Sequence, residues 1–400
     1  MLDWRAAGSL KRGRGPASAG RWFEPSTCRC CCDWFGLSIA GLTTIPRSEL
    51  ELAAWDNFVA ESADGWLLHT SAWYEVWGAK DDRSFAVLSA AGQILAVGAI
   101  WSERFTRLRV LPLPWISNRR TGIAHASGLS PEELDEIDDF ALREVRQIGS
   151  RRGAMSVYWE MPSFPPGPDS PALANLTRAG YAVATWPSRV IDLRKEEAAL
   201  WRDYRKTARG HVRHALRAGL QVTEAAGLDD VETFAAMHRE TLLAAGGSPV
   251  DAGVFARQWQ LLAASGACEL LLARQPSGEP VSGVVTLHWK GIAYYSAAAS
   301  VSAHRELAGN TLLVHEAILR AKGRGDHSFH LGPTPHADQV ADKAYQVGRF
   351  KDQFGGAEVP WRSATLTLRS RLSKAIDLAA RAGSLGTRLK PGTGNTARDR

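Results

Sequence analysis

Two stretches of this chain, about 180 residues apart, run through the same succession of patterns, and that period is far too long for a solenoid unit. In the first, residues 85–90 and 94–101 flank Gly92, which predicts a β-hairpin. Residues 107–113 predict another strand. Residues 131–148 carry apolar side chains at helical spacing, with Ser130 as N-cap, Pro131 at the first helical position and acids in the first turn. Residues 155–159 predict a buried strand. In the second stretch, residues 269–274 and 281–289 flank the turn at Gly278, and Lys290-Gly291 is a tight turn into a strand over 292–299. Residues 310–322 are helical and closed by Gly323, and 328–331 is again a strand. Hairpin, strand, helix and strand, twice over, predict two copies of one α/β domain. The expected divisions are a leader (1–36), a first domain (37–190), a second domain (191–368) and a C-terminal helix and tail (369–400).

At the junction, residues 204–219 read YRKTARGHVRHALRAG. On a helical wheel Leu200, Tyr204, Ala208, Val212 and Ala215 share one side. Arg202, Arg205, Lys206, Arg209, Arg213 and Arg217 share the other, and Gly219 ends the helix. Two readings stay open for the basic side: a solvated face, or a wall for a polyanion such as nucleotide phosphates, coenzyme A or tRNA. Arginine suits the second because its planar fork binds phosphate through two hydrogen bonds. Six cations repel one another there, and no run of acids lies nearby.

The net charge of +6 belongs to the tails. Residues 1–34 contribute +3 and residues 362–400 contribute +7, leaving −4 for the centre. A DNA-binding body is not built that way, so no DNA partner is expected. No apolar run approaches the roughly 18 residues of a membrane span, and the N-terminus lacks the apolar segment of a secretory signal, so a cytoplasmic location is expected. Cys28, Cys30, Cys31 and Cys32 crowd together without a second pair at zinc spacing, and His327, His330 and His336 share no metal-ligand spacing. No metal is expected. No G-x-S-x-G occurs, so the sequence offers no nucleophile elbow.

The junction helix LWRDYRKTARGHVRHALRAGLQV resembles the entry to the second domain of the FemAB-like branch of the GNAT superfamily. AMHRETLLAAGGSP, YYSAAAS, LAGNTLLVHEAILRAKGRG and FHLGPTP follow in the family's order, and FKDQFGG resembles its FK-x-x-FG signature. The match covers residues 190–361. The segment HTSAWYEVW fits the first GNAT-like copy more loosely. The resemblance implies tandem GNAT-like domains, each a mixed, mainly antiparallel sheet flanked by helices. It also implies acyl transfer to an amine or hydroxyl of a cell-envelope or polysaccharide precursor. The implied donor is acetyl-CoA or another acyl-CoA as co-substrate, with none bound permanently, or else an aminoacyl-tRNA. Lys351 of the signature would lie near the reacting carbonyl, where a fixed ammonium stabilises the oxyanion, and Phe350 would shape the donor pocket. Arg205, Arg209 and Arg213 would face the donor's phosphates.

Three departures stand beside the resemblance. The phosphate loop of GNAT enzymes, Q/R-x-x-G-x-G/A, is degenerate here as RELAGNTLL, leaving Gly309, followed by Asn310, to receive the phosphate. Trp77 stands where the bridge-forming enzymes carry a lysine after Trp73. No long helical arm interrupts residues 228–265. His238 and Glu240 on the first helix of the second copy, and Glu316 on the helix after the loop, are read either as surface positions or as candidates to assist deprotonation. The rival to an enzyme is a non-catalytic binding protein of a polysaccharide synthesis complex. In the tail, Leu372, Ile376 and Ala379 repeat at helical spacing among basic residues. That helix either packs on the body or makes a weak contact with anionic lipid at the inner membrane face.

Overall fold

The computed structural model describes residues 41–78, 81–106, 112–117, 122–161, 171–244, 249–334 and 342–369. The leader with its cysteines, His336 and the expected C-terminal helix lie outside the described residues. The first half runs β1 (Thr43–Pro46), α1 (Leu52–Glu61), α2 (Ser71–Val76), β2 (Phe85–Leu88), β3 (Ile94–Gly98), β4 (Trp101–Thr106), β5 (Pro112–Ser117), β6 (Ile123–His125), α3 (Pro131–Arg151), β7 (Ser156–Met161), α4 (Pro171–Arg178) and β8 (Ala182–Asp192). The second runs α5 (Glu197–Asp203), α6 (Lys206–Arg217), β9 (Gln221–Glu224), α7 (Leu228–Ala244), α8 (Ala252–Leu262), β10 (Cys268–Arg274), β11 (Pro280–Trp289), β12 (Ile292–Ser300), α9 (Gly309–Gly323), β13 (Ser328–Pro333), α10 (Asp342–Asp352) and β14 (Ala357–Thr367).

Local rules account for the main elements. At α3, the Glu133 amide donates to Ser130 Oγ at 3.2 Å and the Ser130 amide donates to Glu133 Oε2 at 2.7 Å, a reciprocal cap that fixes the first turn. Ile137, Ala141, Leu142 and Val145 then turn one stripe into the core. In β10, Leu270 and Leu272 enter one core and Leu271 and Ala273 the other, the two-residue period of a strand buried on both faces. Each large apolar side chain so buried contributes about 1.5–3 kcal/mol.

The repeat is present in topology. Parallel β5 and β7 embrace α3 in sequence, and parallel β12 and β13 embrace α9. The copies differ at their hairpins. β2 and β3 join β1 and β6 in a four-stranded sheet, whereas β10 and β11 stay in the main sheet. That main sheet runs β4-β5-β7-β14-β8-β13-β12-β11-β10-β9 through both halves. β14 enters between β7 and β8 and is antiparallel to both, and β8 pairs on its other edge with β13. The boundary expected at residue 190 therefore falls inside a strand shared by the two copies.

Two apolar cores cover the two faces of the second half. Phe234 of α7 and Phe255 of α8 pack with Trp55, Trp66 and Tyr74 of the first half on one face. α6 and α9 close the other, over Val284, Phe329 and Phe354. The single junction helix read from the sequence is broken: Tyr204 and Arg205 are extended (ψ 141 and 152), which separates α5 from α6. The Arg205 amide thereby donates to the Gln353 carbonyl at 2.8 Å and ties α6 to the end of α10. The apolar stripe survives the break, since Leu200, Tyr204, Ala208, Val212 and Ala215 are all buried.

Candidate functional site

β12 and β13 pair only from Ile292 with Ser328 to Tyr294 with His330, and then part. The register of β12 against β11 also shifts there, with Tyr295 opposite Thr286 and Ala297 opposite Val285, so that Ser296 is the extra residue of a bulge. A cleft of about 1050 Å3 opens at this fork, floored by Tyr294 to Ala298. α6 and the start of α9 line it from one face of the sheet, His238 and Thr241 of α7 from the other, and Phe350 and Lys351 of α10 close its end. The cleft is thus lined by residues from both faces of the sheet.

On the α9 side, a 3-10 turn over Ser302–Leu307 leads into Ala308, which is left-handed at φ 57. The Ala308 amide is consumed by the Arg305 carbonyl, and no side chain caps the helix. The amides of Gly309 and Asn310 have no acceptor within the helix, so they present the positive end of α9 to the cleft. The absent side chain of Gly309 lets the helix end sit close on β11, since a Cβ would lie 2.4 Å from Ser282 Oγ. The equivalent end of α3 is different in kind. Its amides are capped by Ser130, and Glu132 and Glu133 occupy the first turn, which repels a phosphate. Of the two copies, the second holds the anion-receptive helix end. Around that end stand Arg205, His211, His304, Arg305 and Arg349, with Glu306 as the acid in the lining.

The FKDQFGG segment accounts for itself residue by residue. Phe350 packs edge-on against Phe354 at 5.4 Å, and Phe354 is fully buried edge-on against Tyr204. Gly355 and Gly356 are both left-handed (φ 75 and 83); a Cβ would lie 2.8 Å from the Asp203 carbonyl oxygen and 2.6 Å from that of Val190. Only glycine admits this close backbone crossing. Lys351 is buried at 8% exposure, and its Nζ donates to the Pro333 carbonyl at 2.9 Å and lies 5.8 Å from the Tyr295 ring centre.

The sequence-predicted residues divide cleanly. Arg205, His238, Gly309, Asn310, Phe350 and Lys351 all line the cleft. Arg209, Arg213 and Glu316 are not in its lining. Arg209 turns back to donate from Nη1 to the carbonyls of Arg202 and Tyr204, satisfying backbone freed by the break between α5 and α6. Arg213 lies 5.4 Å over the Trp201 ring. Glu316 is half-buried beside Tyr204; burial raises its carboxyl above the usual range, and Arg320 opposes that. Of the two readings open for His238, the surface position does not hold, whereas Glu240 is exposed. His238 sits 9% exposed against the rings of Phe234 and Phe255, and its Nδ1 has no hydrogen-bond partner. Burial holds its imidazole below the ordinary value, so at neutral pH it is an uncharged acceptor of protons. His330 is a core residue: burial pushes it to about 3, and its Nε2 shares a hydrogen bond of 3.2 Å with Ser328 Oγ. Tyr294, Tyr295 and Ser282 were not legible as lining residues. YYSAAAS gives a strand, but which of its side chains meets a cleft depends on where β13 leaves it.

Among the described residues no group of three or more His, Cys, Asp or Glu side chains is placed to hold a metal ion, and no helix is long and apolar enough to cross a membrane.

Residues 202–347 match the model of the acetyltransferase (GNAT) domain family. The match falls in the second half of the chain, and the strand fork and open helix end lie inside the matched segment. The crystal structure of FemX superposes with a TM-score of 0.62 at 17% identity, covering 84% of this chain and 99% of that one. The tandem GNAT protein from the clavulanic acid biosynthesis pathway gives 0.49 at 13% identity, covering 81% and 98%. L-PGS from Bacillus licheniformis gives 0.48 at 14%, covering 75% and 88%. At 17% identity the likeness to FemX is one of fold. None of the curated proteins matches this chain in sequence.

Proposed function

We propose that this GNAT domain transfers an acyl group, acetyl from acetyl-CoA in the first instance, to an amine or hydroxyl of a cell-envelope or polysaccharide precursor. The observation that carries the reading is the fork between β12 and β13, which joins an uncapped helix end on one face of the sheet to His238 on the other. The donor's phosphates lie against Gly309 and Asn310, within a cationic lip of Arg205 and Arg305. The thioester reaches through the fork, where the backbone of β12 beyond Tyr294 has no ladder partner on its β13 side and faces the reacting carbonyl. The acceptor enters from the α7 face. His238 takes its proton as nitrogen or oxygen attacks the carbonyl carbon, and the thiolate of CoA leaves as the tetrahedral intermediate collapses. Lys351 Nζ, held at the end of β13, lies where it steadies the oxyanion of that intermediate.

Three buried polar atoms in the lining fit a ligand rich in hydrogen-bonding groups. His238 Nδ1, Ser282 Oγ and Asn310 Oδ1 all lack partners among the described residues. An aminoacyl-tRNA donor is the second reading, favoured by the exposed cations Arg202, Lys206 and Arg217, which continue the cationic lip along α5 and α6. The test is native mass spectrometry and calorimetry of the purified full-length protein with acetyl-CoA, CoA and total tRNA. Binding of CoA but not tRNA supports the first reading; the reverse result replaces it with the second. If neither binds, both fail and a non-catalytic role takes their place.

A further inference from the structure

The turn before α9 presents too few amides for a diphosphate. Ala308 spends its N–H on the Arg305 carbonyl, and the amides of Thr311 and Leu312 turn back to the Ala308 carbonyl. Gly309 and Asn310 are left, two donors for a group with several anionic oxygens. The missing donor is supplied from the sheet beneath. Ser282, opposite Ser300 near the start of β11, is 1% exposed, lines the cleft, and its Oγ has no hydrogen-bond partner among the described residues. A buried hydroxyl with no partner costs stability, and nothing in the packing requires it, since alanine fills nearly the same space. Its position explains it. The hydroxyl lies directly under Gly309, so close that a Cβ on residue 309 would come within 2.4 Å of Oγ. The absent Cβ leaves the hydroxyl next to the first turn of the helix, on the side of the cleft.

We propose that Ser282 is a ligand-positioning residue, whose hydroxyl donates to a phosphate oxygen of the donor held on the first turn of α9. It works beside the amides of Gly309 and Asn310 and takes the place of the amides that the Arg305–Gly309 turn withholds. The proposal rests on the diphosphate-donor reading above and adds to it a side chain from a different element, β11, as part of the phosphate site. No covalent step is involved. A hydrogen bond from a neutral hydroxyl to a charged oxygen is stronger than one to a neutral acceptor, so a single residue is enough to be measured.

The test uses the full-length protein, with CoA as the probe. Ser282→Ala and Ser282→Cys should each weaken CoA binding about tenfold by calorimetry, whereas ligand-free Ser282→Ala should melt at the same temperature as the parent or higher, because a buried hydroxyl without a partner has been removed. A hydroxyl with a purely structural role gives the opposite pattern: a lower melting temperature and unchanged affinity. Ser282→Thr, which keeps the hydroxyl, should retain more affinity than Ser282→Cys. Unchanged CoA affinity in Ser282→Ala overturns the proposal and leaves the donor reading standing. If the parent protein itself does not bind CoA, the donor reading fails first, and the role of Ser282 falls with it.

Discussion

Lys290 Nζ, from the two-residue turn between β11 and β12, donates to the main-chain oxygen of Ser62 at 2.6 Å and to that of Val59 at 3.1 Å. These are carbonyls at the end of α1, in the other half of the chain. Beside them, Trp289 Nε1 donates to the Gly65 carbonyl at 3.0 Å, and Trp66 packs edge-on against Tyr294 of the cleft floor at 5.6 Å. The turn that closes a hairpin in one copy is thus the clamp that holds a loop of the other against the site.

Lys290 itself is left-handed at φ 46, followed by Gly291 at φ 76, a geometry that asparagine tolerates better than lysine. Lys290→Met should destabilise by about 1 kcal/mol, the value of charged hydrogen bonds discounted for solvent exposure. Lys290→Asn should cost less, since the turn improves as the clamp is lost. Urea melts of the two variants compare the terms directly; equal losses would mean that the turn conformation contributes nothing.

His125 gives the fold a pH dependence. Its Nδ1 lies 2.7 Å from Asp64 and its Nε2 2.9 Å from Asp138, which is itself held by Asn175 at 3.0 Å. Burial opposes the charge on the ring, but hydrogen bonds and charges from Asp138 and Asp64 more than offset it, raising the imidazolium from 6.5 to about 10. The folded value exceeds the unfolded one. The contribution is therefore full below about pH 6.5, declines above it, and is gone once pH has passed about 10. His125→Gln should cost about 3 kcal/mol at pH 6, mostly through Asp138, because Asp64 is nearly half exposed. The cost should shrink toward pH 10. A penalty independent of pH would show that the ring is neutral in the native state.

The basic segment divides into three roles. Arg205→Ala combined with His211→Ala should weaken CoA binding and flatten its salt dependence, because both side chains line the cleft. Arg213→Ala should leave affinity unchanged. Arg209→Ala should lower stability by about 1 kcal/mol, because two carbonyls at the break between α5 and α6 lose their donor. Salt titrations on all three variants separate these outcomes, and a loss of CoA affinity in Arg213→Ala would return the whole stripe to the donor site.

Much of this fold was readable because its signals are local. Ser130, Pro131 and Glu133 announce α3, and the runs around Gly278 and Gly291 announce β10, β11 and β12. The insertion of β14 between β7 and β8 was not readable. Its pairing joins Thr367 to Ser156, positions far apart in the chain, and no local period encodes a partner at that distance. The helix over 200–217 had the right stripe and the wrong continuity, since the contacts found at the break, the Arg205 amide on the Gln353 carbonyl and Gly355 against Asp203, come from a segment about 150 residues away. The candidate site followed the same rule. Phe350, Lys351 and Gly309 were found from local motifs, whereas Ser282 and Tyr294 became visible only where two strands part.

Lys351 tests the signature. Its Nζ donates to Pro333 in a buried setting, so Lys351→Met should lose about 1.5–3 kcal/mol of stability as well as turnover. Turnover should be normalised to folded protein at low temperature, where a fall of 10²-fold or more is the value expected of an oxyanion contact. Normal turnover per folded molecule would leave Lys351 as a support for the end of β13.

His238 decides whether the α7 face carries the acceptor. Its unpartnered Nδ1 and its place in the cleft suit a proton acceptor, and burial between Phe234 and Phe255 keeps the ring uncharged below the ordinary imidazole value of 6.5. A base with a lowered value is active once pH exceeds that value. The acid limb of kcat/KM should therefore turn over below pH 6.5 and stay flat from there through neutrality. His238→Gln keeps a polar side chain of similar size against the same rings. It should lower kcat by about 10²-fold or more and abolish the acid limb, with KM for the acyl donor little changed because the donor lies on the opposite face of the sheet. Were the acid limb to persist in His238→Gln at the same position, the proton would be leaving by another route and the α7 face would carry packing alone. A large rise in donor KM with kcat intact would place His238 on the donor side of the fork instead.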